Sequence, residues 1–384
     1  MDNMDIRFHI FTWNFGTSIP DKLACVMKDF TSAINTSNST NSIYVIGLQE
    51  VAKSEIETIT EYIKKNLPTM YKMERCIKNV SKLVEKFQPY ALVTYIIYKS
   101  PIPLNEPVIV NFEEISISAY PKTNVSNIVS NQGNTKGYLI ANCKYQGHHF
   151  TLANIHLPFF NADFTKESVT ALFKNLKDVN NVIIFGDFNT RSQYNDKCID
   201  STVCDVEFKK KVPVDSITKL EQNLNKCNEI FKCPILVENL TSYDYLTQSR
   251  LINDYSYNES PITFLPSYKI NKNTGKYSLS KGEDGRLVGY ADRIIFKGKF
   301  SAKQDSYKRI KCKGNDHYPI ALDLEFTTNT TGGNNVKRKQ RKSRKSRKQR
   351  KSRKQRKSKR LIKYKKSIRT RKSRLKNKTH VKKI

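Results

Sequence analysis

The sequence lacks the features of several protein classes. Its longest apolar stretch is about ten residues, around Tyr90–Tyr98, whereas a membrane-spanning helix needs roughly 20. The first ten residues, MDNMDIRFHI, show no basic start followed by an apolar run, so no signal peptide is predicted. The last four, VKKI, do not form a prenylation motif. We therefore expect an intracellular protein, cytoplasmic or nuclear, without a transmembrane segment.

Cysteine is also scarce, with eight in 384 residues. A large chain without an export signal is expected to keep its thiols reduced in the cytosol or nucleus. Cys198/Cys204 and Cys227/Cys233 are spaced C-x5-C, wider than the roughly two to four intervening residues usual at zinc sites. We interpret these cysteines as ordinary thiols rather than as metal ligands or disulfides.

Acidic residues are missing from the end of the chain. Residues 337–384 contain no Asp or Glu but 28 of the 68 Lys and Arg residues, whereas the rest carries 40 basic and 35 acidic residues. The basic segment has only seven apolar residues, too few to offset the entropy of ordering the chain. We predict a folded body over 1–326, a Thr/Gly/Asn linker over 327–336, and a disordered basic tail over 337–384.

Within this tail, residues 341–358 repeat a triplet, RKSRKSRKQRKSRKQRKS. A period of three matches neither a helix face nor a strand face, and like charges at each step extend the chain. Such a tail is predicted to bind polyanions, either nucleic acid or an anionic membrane surface. It could equally serve as a nuclear import signal. The sequence leaves these partners open.

The body alternates between predicted strands and helices. Apolar residues at i, i+3, i+4 and i+7 from Val169 to Leu176 predict a helix, and others are predicted at 20–35, 53–66 and 207–228. Because strands outnumber helices, the pattern favours sheets packed on each other with helices outside. The predicted strands are Ile6–Thr12, Ile43–Leu48, Ala91–Tyr98, Tyr138–Cys143, Phe150–Ile155, Val182–Phe185, Ala291–Phe296 and Ile320–Phe326.

Polar residues lie at the ends of several predicted strands. One such residue is common, because Asp and Asn also cap turns, but six groups in order are hard to explain as turns. Functional sites usually lie on loops of a rigid scaffold. The groups are Trp13-Asn14, Gln49-Glu50, Asn154 with His156, Asp187 with Asn189, Asp292-Arg293 and Asp316-His317.

The chemistry of these groups indicates a reaction. The four carboxylates among the candidates are hard oxygen ligands of the kind that Mg²⁺ prefers. The two histidines can bind or protonate phosphate oxygens, and the asparagines can fix geometry. No Cys, Ser or Lys stands beside a base as an obvious covalent nucleophile. The set fits metal-assisted attack of water on a phosphate ester.

Five motifs, TWNFG, VIGLQEV, NIHLP, FGDFNTR and GNDHYPI, resemble in that order the motifs of the endonuclease/exonuclease/phosphatase superfamily. The resemblance covers about residues 11–325. It implies an α/β fold, a four-layered sandwich of two packed mixed β-sheets flanked by helices, with the active site at one end. Residues 1–326 would then be the catalytic domain.

Two further segments, 262–286 and 286–298, resemble those of inositol polyphosphate 5-phosphatases within this superfamily. Nucleases of the superfamily lack the Pro-x-Tyr-Lys part. The resemblance implies that Tyr268, Lys269 and Arg286 bind a phosphate beside the scissile one, with charge-assisted bonds about twice as strong as neutral ones.

The resemblance also implies roles for the strand-end residues. Glu50 would bind Mg²⁺, and Asn14 would order the water shell of the metal. Asp187 would be the general base for the attacking water, oriented by Asn189. Lys136, in GNTKGYLI, would be a further phosphate ligand.

The remaining roles concern the phosphate itself. His156 and His317 would hold the scissile phosphate, Asp292 would orient His317, and Asp316 would assist the metal or the water network. The alternative for Asp292 is a structural salt bridge to Arg293.

Three functions follow from these observations. The first is a Mg²⁺-dependent hydrolase that removes the 5-phosphate from inositol polyphosphates or phosphoinositides, held near anionic membranes by its tail. The second is a nuclease of the same superfamily, tethered to DNA by the tail. The third is an inactive body with a nucleic-acid- or membrane-binding tail. The complete catalytic set argues against the third, and the Pro-Ser-Tyr-Lys segment favours the first over the second.

Overall fold

The computed structural model describes residues 5–16, 23–36, 41–79, 90–99, 111–113, 136–145, 147–157, 162–190, 214–230, 233–242, 244–279, 288–312 and 314–328. The predictions made for Arg286, Cys198, Cys204, residues 329–336 of the linker and the tail 337–384 lie outside the described residues.

The strands agree with the sequence pattern, and each predicted strand is present. They are β1 (Ile6–Asn14), β2 (Ser42–Ala52), β3 (Tyr71–Asn79), β4 (Tyr90–Lys99), β5 (Asn111–Glu113), β6 (Gly137–Tyr145), β7 (His148–His156), β8 (Val182–Asp187), β9 (Asn258–Glu259), β10 (Asp292–Lys297), β11 (Phe300–Ala302), β12 (Lys308–Arg309) and β13 (Ile320–Phe326).

The four predicted helices are also present, and three short ones follow them. They are α1 (Leu23–Thr36), α2 (Ile56–Lys65), α3 (Ala162–Asn175), α4 (Val214–Ile230), α5 (Pro234–Ser242), α6 (Tyr245–Gln248) and α7 (Leu251–Asp254). None of these helices combines the length and the apolar composition needed to cross a bilayer.

The strands form two mixed sheets. The first has seven strands in the order β11-β13-β1-β2-β4-β3, with β12 beside β13, and the second has six in the order β5-β6-β7-β8-β10-β9. The β1–β2 and β7–β8 pairs are parallel, and the other pairs are antiparallel. Each parallel pair is connected through a helix, as parallel neighbours usually are. The antiparallel pairs join consecutive strands, such as β6 and β7, and also strands far apart in the chain, such as β1 and β13.

Side chains on alternate faces of each strand build separate layers. Phe8 and Ile10 of β1 lie in the core between the sheets with Phe185 of β8, whereas Phe11 packs beneath α1 and α2. The predicted apolar stripe of α3 covers the outer face of the second sheet. Strands buried on both faces have nearly continuous apolar sequences. The two sheets with helices on their outer faces form the predicted four-layered sandwich.

A polar bridge joins the two sheets. The Gln49 amide donates to the Asn154 side chain at 2.7 Å, and Asn154 donates to the Val93 carbonyl at 3.0 Å. Both amides are fully buried. A buried amide needs such partners, so these two strand-end residues hold the sheets together and do not face the candidate site.

The cysteine prediction is wrong for four residues. Cys25 pairs with Cys312, and Cys227 pairs with Cys233, with Cα–Cα distances of 5.9 and 5.8 Å, within the range a disulfide needs. The fold brings α1 beside the segment before β13, a pairing across 287 positions that spacing could not indicate. The expectation that the thiols stay reduced, as in the cytosol or nucleus, is therefore not met by these four cysteines.

Candidate active site

Strand register brings the predicted residues to one edge of the sandwich. The parallel β7–β8 pair places His156 opposite Asp187, and the antiparallel β10–β8 pair places Asp292 on the other side of Asp187. In the first sheet, Asn14 of β1 lies opposite Gln49 of β2. The ends of strands from both sheets therefore converge on Asp187.

Glu50 reaches this edge through an irregularity in β2. The register between β2 and β4 shifts between Leu48 and Val51, and Glu50 has a φ of 55°. A non-glycine residue with positive φ is uncommon, and irregularities of this kind turn a side chain toward a site. The Glu50 side chain is 32% exposed, so its carboxylate lies at the opening of the site.

Asp187 is buried and firmly held. Its carboxylate accepts hydrogen bonds from the Asn14 amide at 2.9 Å and from the backbone N–H and side-chain amide of Asn189 at 2.7 and 3.2 Å. Burial raises the pKa of the Asp187 carboxyl above its ordinary value, while His317 and the Asn14 hydrogen bond oppose this shift. A carboxylate with a raised pKa is suited to accept a proton at neutral pH.

His156 lies between two carboxylates. Its Nε2 atom is 3.4 Å from an oxygen of Glu50 and 3.4 Å from an oxygen of Asp187. The Lys136 ammonium contacts this Nε2 atom and lies 3.2 Å from the same Glu50 oxygen. Because an ammonium can only donate, the His156 Nε2 atom accepts in this contact. Lys136 therefore faces both Glu50 and His156.

His317 is paired with Asp292. The His317 Nδ1 atom is 2.8 Å from an Asp292 oxygen. Burial alone lowers the pKa of His317, but the charge and hydrogen bond of Asp292, together with Asp187 and Asp316, outweigh it and raise the pKa to about 9. His317 is therefore an imidazolium at neutral pH, which can donate from Nε2 to an anionic substrate.

The structural alternative for Asp292 is not supported. Arg293 points to the opposite face of β10, where it binds Asp244 at 2.6 Å and also binds Glu259. The second oxygen of Asp292 is buried and has no hydrogen-bond partner among the described residues. Asp292 is thus free of Arg293 and faces the site.

Asp187, Asp292 and His317 are close enough to hold a cation. One potential ligand atom from each lies within 4.8 Å of the others. A protonated imidazole has no lone pair to offer a metal, so the raised pKa of His317 makes this trio a weaker metal site than its geometry indicates. Glu50, whose carboxylate already faces an ammonium, is the better candidate.

The predicted substrate segment forms one wall of the site. The Tyr268 ring is 4.7 Å from the His317 ring, and the Tyr268 backbone forms bridges with both Gly289 and His317. Tyr268 is buried, and Lys269 follows it half-buried. Lys136 lies with Glu50 rather than beside this segment.

Three residues support the site through hydrogen bonds that the sequence patterns did not predict. The Trp13 indole donates to the His317 carbonyl at 3.0 Å, and the Asn315 amide donates to the Asn14 carbonyl. The Ser267 hydroxyl accepts from the backbone N–H of Asp292 at 3.2 Å. Each lies inside a quoted motif next to a predicted site residue, and that adjacency was the available signal. Asp316 is half-buried and its N–H donates to Asn315.

A two-sheet sandwich whose edge gathers a buried carboxylate, two histidines and an open glutamate has the fold and site composition of a phosphoesterase. The sequence pattern described as Endonuclease/Exonuclease/phosphatase family 2 matches residues 11–323. The chain belongs to this family, which confirms the predicted superfamily. A comparison with curated protein sequences gave no match.

Solved structures share the fold. The inositol polyphosphate 5-phosphatase domain of spSynaptojanin, in complex with inositol (1,4)-bisphosphate and a calcium ion, is 18% identical with a TM-score of 0.55 over 85% of each chain. A point mutant of Cimex nitrophorin, as a ferrous NO complex, is 15% identical with a TM-score of 0.52 over 84% of this chain and 99% of that one. Proteins this different share the architecture, so the residues of the site have to indicate the function.

Proposed function

We propose that this protein is a Mg²⁺-dependent phosphoester hydrolase that removes the 5-phosphate from inositol polyphosphates or phosphoinositides. The observation that carries the proposal is the buried Asp187 carboxylate, which lies between His156 on one side and the Asp292–His317 pair on the other. A base flanked by two phosphate ligands suits attack of water on a phosphate ester.

The residues present fit a divalent cation. Glu50 offers a half-open carboxylate that already faces a positive group, the Lys136 ammonium. The Asn14 amide nitrogen is engaged by Asp187, which leaves the amide oxygen for the metal or its water. Carboxylate and amide oxygens suit Mg²⁺. When bound, the metal would polarise a phosphoryl oxygen and make bound water more acidic.

Asp187 and His317 would have different roles in the reaction: one accepts a proton and the other donates a hydrogen bond. Asp187, oriented by Asn189, accepts a proton from the attacking water. His317 donates from Nε2, because its Nδ1 atom is engaged by Asp292, and this hydrogen bond stabilises negative charge on the phosphate oxygens. His156 contributes a second contact to the same phosphate.

The segment beside His317 would determine which substrate is bound. Lys269 follows Tyr268, and with Arg286 it would supply the cations for a phosphate next to the scissile one. The inositol (1,4)-bisphosphate bound by the spSynaptojanin domain supports an inositol phosphate as substrate. The tail 337–384 would add affinity for polyanions, which suits a substrate carried in an anionic membrane.

The test is a phosphate-release panel with Mg²⁺. It compares soluble inositol phosphates, phosphoinositide vesicles, and plain or abasic DNA, for the wild type, Asp187→Asn and the control Asp178→Asn. Asp187→Asn keeps the side-chain volume and should lower kcat by about 100- to 10,000-fold. Asp178 is 89% exposed on the surface, so its replacement should change nothing.

Two results would contradict the proposal. Retained turnover in a folded Asp187→Asn protein would remove the assigned base. Cleavage of DNA without phosphate release from any inositol phosphate would favour the nuclease alternative.

A further inference from the structure

Lys136 occupies an unusual position for a surface lysine. It lies one residue before β6, whose first residue, Gly137, pairs with His156 in the β6–β7 ladder. That register fixes the Lys136 backbone beside the opening of the site. Its side chain is only 15% exposed, because it turns inward instead of extending into solvent.

The partners of Lys136 are groups that also bind metals. Its ammonium contacts the Glu50 carboxylate and the lone pair of the His156 Nε2 atom. A second carboxylate, that of Asp187, is 3.4 Å from the same Nε2 atom. Carboxylate oxygens and neutral imidazole nitrogens carry lone pairs that accept a hydrogen bond from an ammonium and that can also coordinate a divalent cation.

We propose that the Lys136 ammonium is a tethered stand-in for the catalytic metal, and that a divalent cation binding at Glu50 expels it. This inference rests on the proposed function, because it needs the metal at Glu50. A dication and an ammonium within about 4 Å of the same partly buried carboxylate repel each other strongly. Binding of the metal at Glu50 and release of the Lys136 ammonium from Glu50 are therefore coupled.

The released lysine gains a second role. Lysine carries a compact charge on a flexible four-carbon stem, so the ammonium can leave Glu50 and contact a substrate phosphate in the same opening. Without metal, Glu50 and His156 hold the ammonium, and this phosphate contact is absent. The metal then binds before the substrate, and it prepares the site by freeing a cation for the phosphate.

The first measurement is metal affinity without substrate. Isothermal titration of MgCl₂ into full-length protein compares the wild type, Lys136→Met and the control Lys64→Met. Lys64 is 56% exposed and pairs with Glu61 at 2.8 Å. Removing the competing cation should tighten Mg²⁺ binding by about tenfold in Lys136→Met, with no change in Lys64→Met.

The second measurement follows Lys136 in the wild type. Brief acetylation with acetic anhydride, read by mass spectrometry, reports the accessibility of each lysine amine. Acetylation of Lys136 should be slow without metal and several-fold faster with MgCl₂, because the ammonium has left Glu50. Acetylation of Lys64 should be the same in both conditions.

The outcomes separate this inference from the proposed function. If wild type binds Mg²⁺ but folded Lys136→Met binds it no more tightly, or if MgCl₂ leaves Lys136 acetylation unchanged, the stand-in role is refuted while the metal site stands. If neither wild type nor Lys136→Met binds Mg²⁺, both proposals fail. Should Lys136→Met not fold, as judged by circular dichroism, the acetylation of wild type decides.

Discussion

Replacing Arg293 by methionine should destabilise the protein by about 3–5 kcal/mol. The Arg293 side chain is fully buried, 2.6 Å from an oxygen of Asp244 and 2.6 Å from one of Glu259. Methionine fills similar volume, so little cavity is created. The cost arises because two carboxylates lose their shared cation in a medium that solvates charge poorly.

The burial of the partners places the effect at the upper end of that range. The Asp244 side chain is fully buried, and that of Glu259 is 11% exposed, so water cannot replace the guanidinium for Asp244. Asp244 also caps α6 by accepting from the Thr247 N–H at 2.9 Å, and a repelled carboxylate would weaken this cap. The neighbouring Tyr307 hydroxyl donates to Glu259 at 3.0 Å but carries no charge to compensate.

Urea denaturation at neutral pH measures this loss of stability. Fluorescence of the single tryptophan, the buried Trp13, reports unfolding at the site. Arg75→Met is the matched control, because Arg75 has a 28% exposed side chain and a solvent-exposed partner, and exposed pairs contribute about 0–1 kcal/mol. A loss below about 1 kcal/mol for Arg293→Met would refute the charge argument.

Other changes test the site, the core and the tail. Asp292→Asn should lower the pKa of His317 toward its ordinary value, read by NMR, and lower kcat on a soluble inositol phosphate by about 100-fold; an unchanged His317 titration would contradict the pairing. Gly47→Ala should lower the free energy of unfolding, measured in urea, by about 1–3 kcal/mol, because the added Cβ would lie 2.3 Å from Phe185. A variant as stable as the wild type would show that the two sheets can move apart to accommodate the methyl group. Truncation after Gly332 should preserve turnover of a soluble substrate but abolish most salt-sensitive binding to DNA or anionic vesicles, and lost turnover would make the tail part of the catalytic unit.

The sequence alone located the strands and most of the residues that meet at the candidate site, for a local reason. His156, Asp187 and Asp292 each end or begin a strand whose apolar run is visible in a few residues, and a strand delivers its terminal residue to the edge of its sheet. The charge contrast between the body and the tail is equally local. The strand predictions, which depend only on neighbouring residues, therefore agreed with the structure, whereas the prediction that Cys227 and Cys233 are free thiols did not.

Tertiary structure decided which strand-end residues face the site. Gln49 and Glu50 are neighbours in sequence, but the register shift in β2 sends Glu50 to the opening while Gln49 bonds to Asn154 between the sheets. Likewise the alternation along β10 separates Asp292 from Arg293. The partner of each side chain depends on the strand packed opposite, which no local pattern contains.

The long-range pairs show the same limit most clearly. Cys25 meets Cys312 across 287 positions, and Lys136 meets Glu50 across 86. Lys136 precedes β6 of the second sheet and Glu50 lies in β2 of the first, so this pair forms because the two sheets pack on each other. The disulfide forms because α1 packs beside the segment before β13. The sequence by itself determined which residues could do the chemistry, and only the packed sheets determined that a lysine, rather than solvent, faces the glutamate at the opening of the site.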